Sequence, residues 1–347
     1  MSEKVPDEYI SCKILENPRI ASGRIAKGAI ILSQLDYVIQ SIPQIKDYFY
    51  TIERRGWRGL NESKHADIKL VEDLSYWDET KRRFPTAICL DIGPADFVDT
   101  DSFCPTNTPK KYTGVQISSW DSFKRPFLFI SACALLPGRS FIKFGHFVRG
   151  GTPEEIALRD QCLKLTLESG ANIIYPYGNA NDNHLMPKSK REVNSLINSA
   201  SIGILTSQVE GINRFKMECL AANIPFLVPD DAAYPTKKHI NELTGMLFKP
   251  TPEGLAEAVE ELTDRLTLMK PREYILSNTG IKISLNKLKG ALEQLCERDH
   301  QEFHFENIYW DGRNDNLDWG RKRLFEDIEM TLTMAGEDKS HIQKPAW

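Results

Sequence analysis

Two carboxylates stand eight positions apart in Glu210-Gly211-Ile212-Asn213-Arg214-Phe215-Lys216-Met217-Glu218. The free N–H groups of the helix start between them suit a phosphate. The flanks support that geometry. Ile202-Gly203-Ile204-Leu205-Thr206-Ser207 is a short apolar run that reads as a buried parallel strand. Phe215 to Ala222 has helical composition, Asn223 is a plausible cap, and Pro225 follows. Pro225-Phe226-Leu227-Val228-Pro229 then reads as a second buried strand. Glu210 is therefore expected at the carboxyl end of a strand, where doubly wound sheets bind ligands. Each acid also has a plain reading, Glu210 as a loop charge at a helix start and Glu218 as a helix-surface residue.

The series Ser207 through Pro225, followed by Gly245-Met246-Leu247-Phe248-Lys249-Pro250, resembles the nucleotide-sugar domain of retaining GT-B glycosyltransferases of the group 1 type. That family carries a Glu-x7-Glu pair, a small-residue helix ending in "AAxxP" and a "GxLFxP" loop. Val98-Asp99-Thr100-Asp101-Ser102-Phe103-Cys104-Pro105 is similar to the "VDTxxFxP" linker that enters the domain. The likeness covers residues 84 to 265, about half the chain. A lone acid pair says little where 27% of residues are charged; the ordered series of linker, pair and loop is specific.

The resemblance implies transfer of a sugar from a nucleotide-diphosphate sugar to a glycan or other hydroxyl acceptor, with retention of configuration. It implies no metal and no cofactor. Glu210 would lie beside the donor sugar and Glu218 would accept from the ribose hydroxyls. The backbone of Gly211, Ile212, Asn213 and Arg214 would face the diphosphate. The family clamps that group with an arginine and a lysine five residues apart. Lys124, in Ser118-Ser119-Trp120-Asp121-Ser122-Phe123-Lys124-Arg125, matches the lysine, but Ser119 stands at the arginine's place. Arg125 or Arg214 is then expected to supply the second cation, since a leaving diphosphate needs fixed positive charge; otherwise each is a solvated surface cation. Ile212 and Asn213 depart from the family's usual residues, and the Asn213 side chain would reach the sugar. His146 is expected either to contact the donor or to be a hydrogen-bonded histidine at the sheet's edge. The alternative function is a non-catalytic nucleotide-sugar-binding subunit or degenerate transferase that scaffolds a partner.

Two acidic motifs are set aside. Asp99-Thr100-Asp101 mimics the metal-binding D-x-D of GT-A transferases but lies in a linker. Asp311-Gly312-Arg313-Asn314-Asp315 lacks the ligand order of a calcium loop, with Lys322 at its twelfth position. The histidines show no zinc spacing. A net charge of −4 gives no electrostatic reason to expect nucleic acid. Seven cysteines without a C-x-x-C pair read as reduced thiols of a cytoplasmic protein, which could lie against a membrane surface. No apolar run approaches the roughly 20 residues of a membrane span.

The expected fold is α/β, a GT-B-like pair of domains. Residues 1–108 are expected to form a reduced acceptor-side domain with its linker, a second subunit completing the acceptor site. Residues 109–300 would form the donor-binding parallel sheet, and 301–347 a tail with a crossing helix around Trp319–Leu332. Strands are expected at 67–71, 87–90, 114–118, 140–144, 171–175, 202–206 and 225–229. Helices are expected at 77–84, 127–136, 153–167, 190–199, 215–222, 237–244, 253–269 and 282–299. The Arg- and Trp-bearing segment 54–58 is expected either to face a partner or to be a plain solvated loop.

Overall fold

The computed structural model describes residues 12–21, 24–33, 35–54, 62–148, 150–176 and 189–312, with four isolated positions between 326 and 333. The segment 55–58, the helix expected around Trp319–Leu332 and residues 313–315 of the rejected calcium loop fall outside them, the helix except for Glu326, Glu329 and Met330. The chain forms two compact units, one from 1–97 with 282–347 and one from 98–281.

In the first unit the elements are β1 (Cys12–Glu16), β2 (Arg19–Ala21), β3 (Arg24–Ala26), β4 (Gly28–Leu32), α1 (Leu35–Ser41), α2 (Ile45–Tyr48), β5 (Phe49–Arg54), β6 (Ile68–Leu70), α3 (Trp77–Arg83) and β7 (Ile88–Leu90). Its five-stranded sheet runs β1-β4-β5-β6-β7, parallel from β4 onward with β1 antiparallel at the edge. The run Gly28–Leu32 is buried at every position, as a strand covered on both faces must be. Period-two alternation sends Ile30 and Leu32 to one core, with Leu35, Val38 and Ile45, and Ala29 and Ile31 to the other.

The second unit contains β8 (Tyr112–Ser119), α4 (Pro126–Ala134), β9 (Phe141–His146), α5 (Pro153–Ser169), β10 (Ile173–Ile174), α6 (Lys190–Asn198), β11 (Ala200–Ile204), α7 (Arg214–Ala221), β12 (Phe226–Pro229), α8 (Tyr234–Lys237), β13 (Gly245–Phe248), α9 (Pro252–Asp264) and α10 (Pro271–Asn278). Its six strands lie in the order β10-β9-β8-β11-β12-β13, all parallel. Counted from the unit's first strand this is 3-2-1-4-5-6, the doubly wound order. The order reverses between β8 and β11, so the loops after those strands flank the switch point.

The long helix α11 (Gly280–Arg298) carries the chain out of the second unit. Its Leu288, Ala291, Leu292 and Leu295 pack with Tyr50, Ile52 and Ile68 of the first sheet. The 282–300 segment therefore belongs to the first unit's core, not to the second unit, which the sequence suggested would run to 300. Leucines at i, i+4 and i+7 announce a buried helix face but not which sheet receives it. The helix expected at 237–244 is also corrected. The chain is helical only through Lys237, because His239 adopts φ 72° and the Thr244 hydroxyl donates to its carbonyl at 2.7 Å. Similarly, α9 stops at Asp264, and β10 has two residues rather than five.

Close packing near the switch point makes one glycine obligatory. A Cβ on Gly145 would lie 2.2 Å from the indole ring of Trp120, a side chain only 2% exposed. A buried indole cannot swing aside as a flexible chain end does. Gly145→Ala is expected to destabilise the protein by about 1–3 kcal/mol. Urea denaturation should show a lowered midpoint with an unchanged slope.

Candidate active site at the switch point

Three loops meet beyond the carboxyl ends of β8, β11 and β12. The first passes through a single 3-10 turn, Ser122–Lys124, into Arg125, which takes φ 49° and ψ 53°. Pro126 opens α4 directly after it, a residue suited to the first helical position. The second loop, 205–213, leads into α7. Its entry residue Asn213 is an N-cap whose side chain accepts from the Lys216 N–H at 2.9 Å. The Asn213 oxygen is thereby committed to the helix, where the sequence suggested a reach toward a sugar.

These loops are tied together. The Thr206 hydroxyl donates to the Lys124 carbonyl at 2.6 Å, and the Gln208 N–H donates to the Phe123 carbonyl at 3.3 Å. From the third loop, the Ala233 N–H reaches the Gln208 carbonyl at 3.1 Å, and the Thr236 hydroxyl donates to the Glu210 carbonyl at 3.0 Å. The Lys216 ammonium, fully buried, donates to the carbonyls of Thr236 and Lys238 at 2.7 and 2.6 Å. Those carbonyls would otherwise be left at the end of α8. A helix-start lysine thus fastens the loop that supports Glu210.

On this frame, Lys124 and Glu210 form an ion pair, 86 positions apart in sequence. Both side chains are mostly covered, at 13% and 15% exposure. The Ser207 hydroxyl donates to the same Glu210 oxygen at 2.9 Å. Arg125 makes a two-pronged pair with Asp231 of the third loop, at 3.0 and 2.7 Å, a fork geometry that fixes the guanidinium plane. Asp231 had no signal in the sequence beyond being an acid after a strand. Gly211 and Arg214 are half-buried beside α7's first turn, Ile212 is buried, and Glu218 is a buried residue of the same helix. A helix-surface reading of Glu218 therefore does not hold.

His146 ends β9, pairs in register with Ser119 and accepts the Trp120 N–H on its carbonyl at 3.0 Å. Burial, with Lys124 and Lys143 nearby, holds its imidazole down to about 4. It is neutral at physiological pH and stands at the carboxyl end of β9, between β10 and β8 in the sheet. The loop after it is held by Glu155, whose buried carboxylate collects the N–H groups of Val148, Gly151 and Thr152 at 2.9, 3.1 and 3.0 Å.

The set-aside Asp99 turns inward on its own linker. It accepts from Ser102 and from the Lys190 ammonium at 3.0 Å, and despite partial burial these bonds bring its carboxyl down to about 2. Among the described residues no group of three His, Cys, Asp or Glu side chains is placed to hold a metal ion. No described helix is long and apolar enough to cross a membrane.

Sequence reasoning missed Lys143, a charge inside the apolar strand Phe141-Ile142-Lys143-Phe144. Its signal was plain: an ionisable residue in a buried parallel strand needs an internal partner. Lys143 is fully buried and donates to the Gln116 side-chain oxygen at 2.5 Å and to the Ser118 hydroxyl at 3.1 Å.

The Lys124–Glu210 pair should register as one unit in a double-mutant cycle. Lys124→Met and Glu210→Gln are each expected to destabilise, and the double variant by less than the sum. A coupling of about 0.5–3 kcal/mol by chemical denaturation is expected.

No protein-family model and no curated protein sequence matches the chain. Solved structures do. Anabaena HepE in complex with UDP aligns with a TM-score of 0.55 at 13% identity, over 77% of each chain. Sucrose-phosphate synthase from Thermosynechococcus elongatus aligns at 0.55 and 14% identity, over 71% of this chain and 69% of that one. The pneumococcal O-GlcNAc transferase GtfA, in complex with UDP and GlcNAc, aligns at 0.53 and 15% identity, over 75% of this chain and 54% of its own. At these identities the likeness concerns architecture, and the chain has the GT-B fold of glycosyltransferases.

Proposed function

We propose that the protein is a retaining glycosyltransferase that takes its sugar from a nucleotide-diphosphate donor without an essential metal. The observation that carries this reading is the convergence of Lys124, Glu210 and the α7 N-terminus at the switch point of a doubly wound sheet. A cation and helix-start N–H groups favour a diphosphate there, and an adjacent carboxylate suits sugar hydroxyls. The neighbours' complexes with UDP, and with UDP and GlcNAc, agree with a donor of this class.

In this reading the bond from the sugar's anomeric carbon to the diphosphate oxygen breaks, and its electron pair leaves with the diphosphate. Lys124 and the amides of 211–214 stabilise that charge as it develops. The acceptor hydroxyl attacks on the face of departure, and its proton passes to the departing phosphate oxygen. Glu210 orients the sugar and stabilises positive charge at the anomeric carbon. Glu218, carried on rigid α7, accepts from the ribose hydroxyls. Arg125 acts through Asp231, fixing the third loop against the first. A glycan or other hydroxyl compound is the acceptor, with a second subunit completing its site.

A thermal-shift series with UDP, GDP, ADP and their sugars tests donor binding, because a ligand of the native state raises its melting temperature. Glu218→Ala is expected to weaken nucleoside diphosphate binding by about 1–3 kcal/mol. Glu210→Gln is expected to spare that binding and depress turnover. Equal calorimetric losses for the two variants would reverse the assignment, and binding without donor hydrolysis or transfer would favour a non-catalytic subunit.

A further inference from the structure

Beneath the three loops lies a line of polar groups on one face of the sheet. Lys143 of β9 is opposite Gln116 of β8 in register. Its ammonium donates to the Gln116 oxygen at 2.5 Å, and the Gln116 amide donates to the Thr206 hydroxyl at 3.0 Å. The Thr206 hydroxyl in turn donates to the Lys124 carbonyl at 2.6 Å. Every donor in the line points the same way, from the buried ammonium to the backbone of the site's lysine. Such a directed chain polarises cooperatively. A second branch runs from Lys143 to the Ser118 hydroxyl at 3.1 Å, one residue before β8 ends.

The surroundings of Lys143 are otherwise apolar or neutral. Its ammonium stands over the rings of Trp120 and Phe129, at 4.9 and 5.8 Å from their centres. Cys133 of α4 and Cys162 of α5 face it from the helices that cover this side, and Lys124 is the cation it senses. Among the described residues no carboxylate comes within ion-pair distance of it. A buried cation with only neutral acceptors is costly in free energy. Among the described residues its charge is uncompensated, and it lies beneath the loop of the proposed anion site.

We propose that Lys143 is a positioning residue for the donor diphosphate: an internal cation that fixes Lys124 through Gln116 and Thr206 and adds its own charge to the anion subsite from below. This rests on the reading of the switch point as a nucleotide-diphosphate site. The charge matters most where a phosphate is bound and not at all for an uncharged nucleoside. Burial, with Lys124 contributing, lowers the ammonium to about 8. An anion above it would draw that value upward, so diphosphate binding takes up a proton above pH 8. The terminal phosphate itself titrates near a pKa of about 6, well clear of that window.

The test compares uridine with UDP, or whichever nucleoside pair the wild-type protein binds, by calorimetry on the full chain. Lys143→Met keeps the side chain's length and removes its charge. The variant is expected to bind the diphosphate on the order of tenfold more weakly, with nucleoside affinity unchanged. Parallel losses for both ligands would mean a structural role and overturn the proposal, as would unchanged diphosphate affinity. Wild-type protein that binds no nucleoside diphosphate at all would overturn the donor-site reading itself, and this proposal with it. Should the variant fail to fold, the wild type alone decides. Its diphosphate affinity is expected to be level from pH 7 to about 8 and to fall above that. A level profile through pH 9.5 would overturn the proposal.

Discussion

The ion pair between Lys124 and Glu210 is the contact on which the site's arrangement depends. It joins the loop after the first strand of the second sheet to the loop after the fourth, across the point where strand order reverses. Neither loop is held there by apolar packing alone. Thr206 and Gln208 bind the backbone of 123–124, and Ser207 shares the carboxylate. The pair therefore sits on a frame already fixed by neutral hydrogen bonds. That is the condition under which a mostly covered ion pair keeps its geometry when a third charge arrives. A phosphate that approaches Lys124 competes with Glu210 for the ammonium. Glu210 can yield part of it because the Ser207 hydroxyl remains on the same oxygen.

Two cations in this region have different duties. Arg125 is spent on Asp231 through both ends of its fork, and its left-handed backbone turns the chain into α4. A guanidinium so engaged is a brace between loops. Lys124 is a point charge on a flexible stem and can follow a ligand. The expectation that Arg125 would share the diphosphate clamp thus meets a geometric cost, the release of a two-pronged pair.

Much of this was legible in the residues. The strand, loop, helix, strand unit around Glu210 follows from apolar runs interrupted at the right points, and from Asn213 and Pro225 bracketing a helix. Pro153 with Glu154 and Glu155 announced α5, and Thr152 completes its capping box. What the residues hid were the decisions made by distant partners. The Leu288–Leu295 stripe states that α11 is buried, but only the fold reveals that it packs on the first sheet. The short α8 looked continuable until the His239 turn and the buried Lys216 claimed its final carbonyls. Asp231 and Thr236 carry no pattern, because their meaning lies in loops more than 20 residues from Glu210.

Each unit contains a lysine buried within its parallel sheet, and the contrast between them bears on what such a charge is for. Lys69, on β6, is ion-paired with Glu53 of the neighbouring strand, and its ammonium also donates to the Ser63 carbonyl at 2.7 Å. The Ser63 N–H satisfies the other oxygen of Glu53 at 2.7 Å. Burial still raises the Glu53 carboxyl, with Lys69 opposing it. That pair closes largely on itself, since each charge finds its opposite. Replacing such a pair by apolar residues of similar volume is often tolerated. Lys143 has the same burial, and among the described residues no acid pairs with it. Its hydrogen bonds to Gln116 and Ser118 use two of the ammonium's three donors, and neutral acceptors cannot cancel its charge. In a medium of low effective dielectric that charge reaches further than it would in water. A sheet that needed only to be stable could carry apolar residues at both 116 and 143 without the cost of a buried charge. The cost of keeping a lysine there makes sense when the compensating negative charge is brought by the ligand.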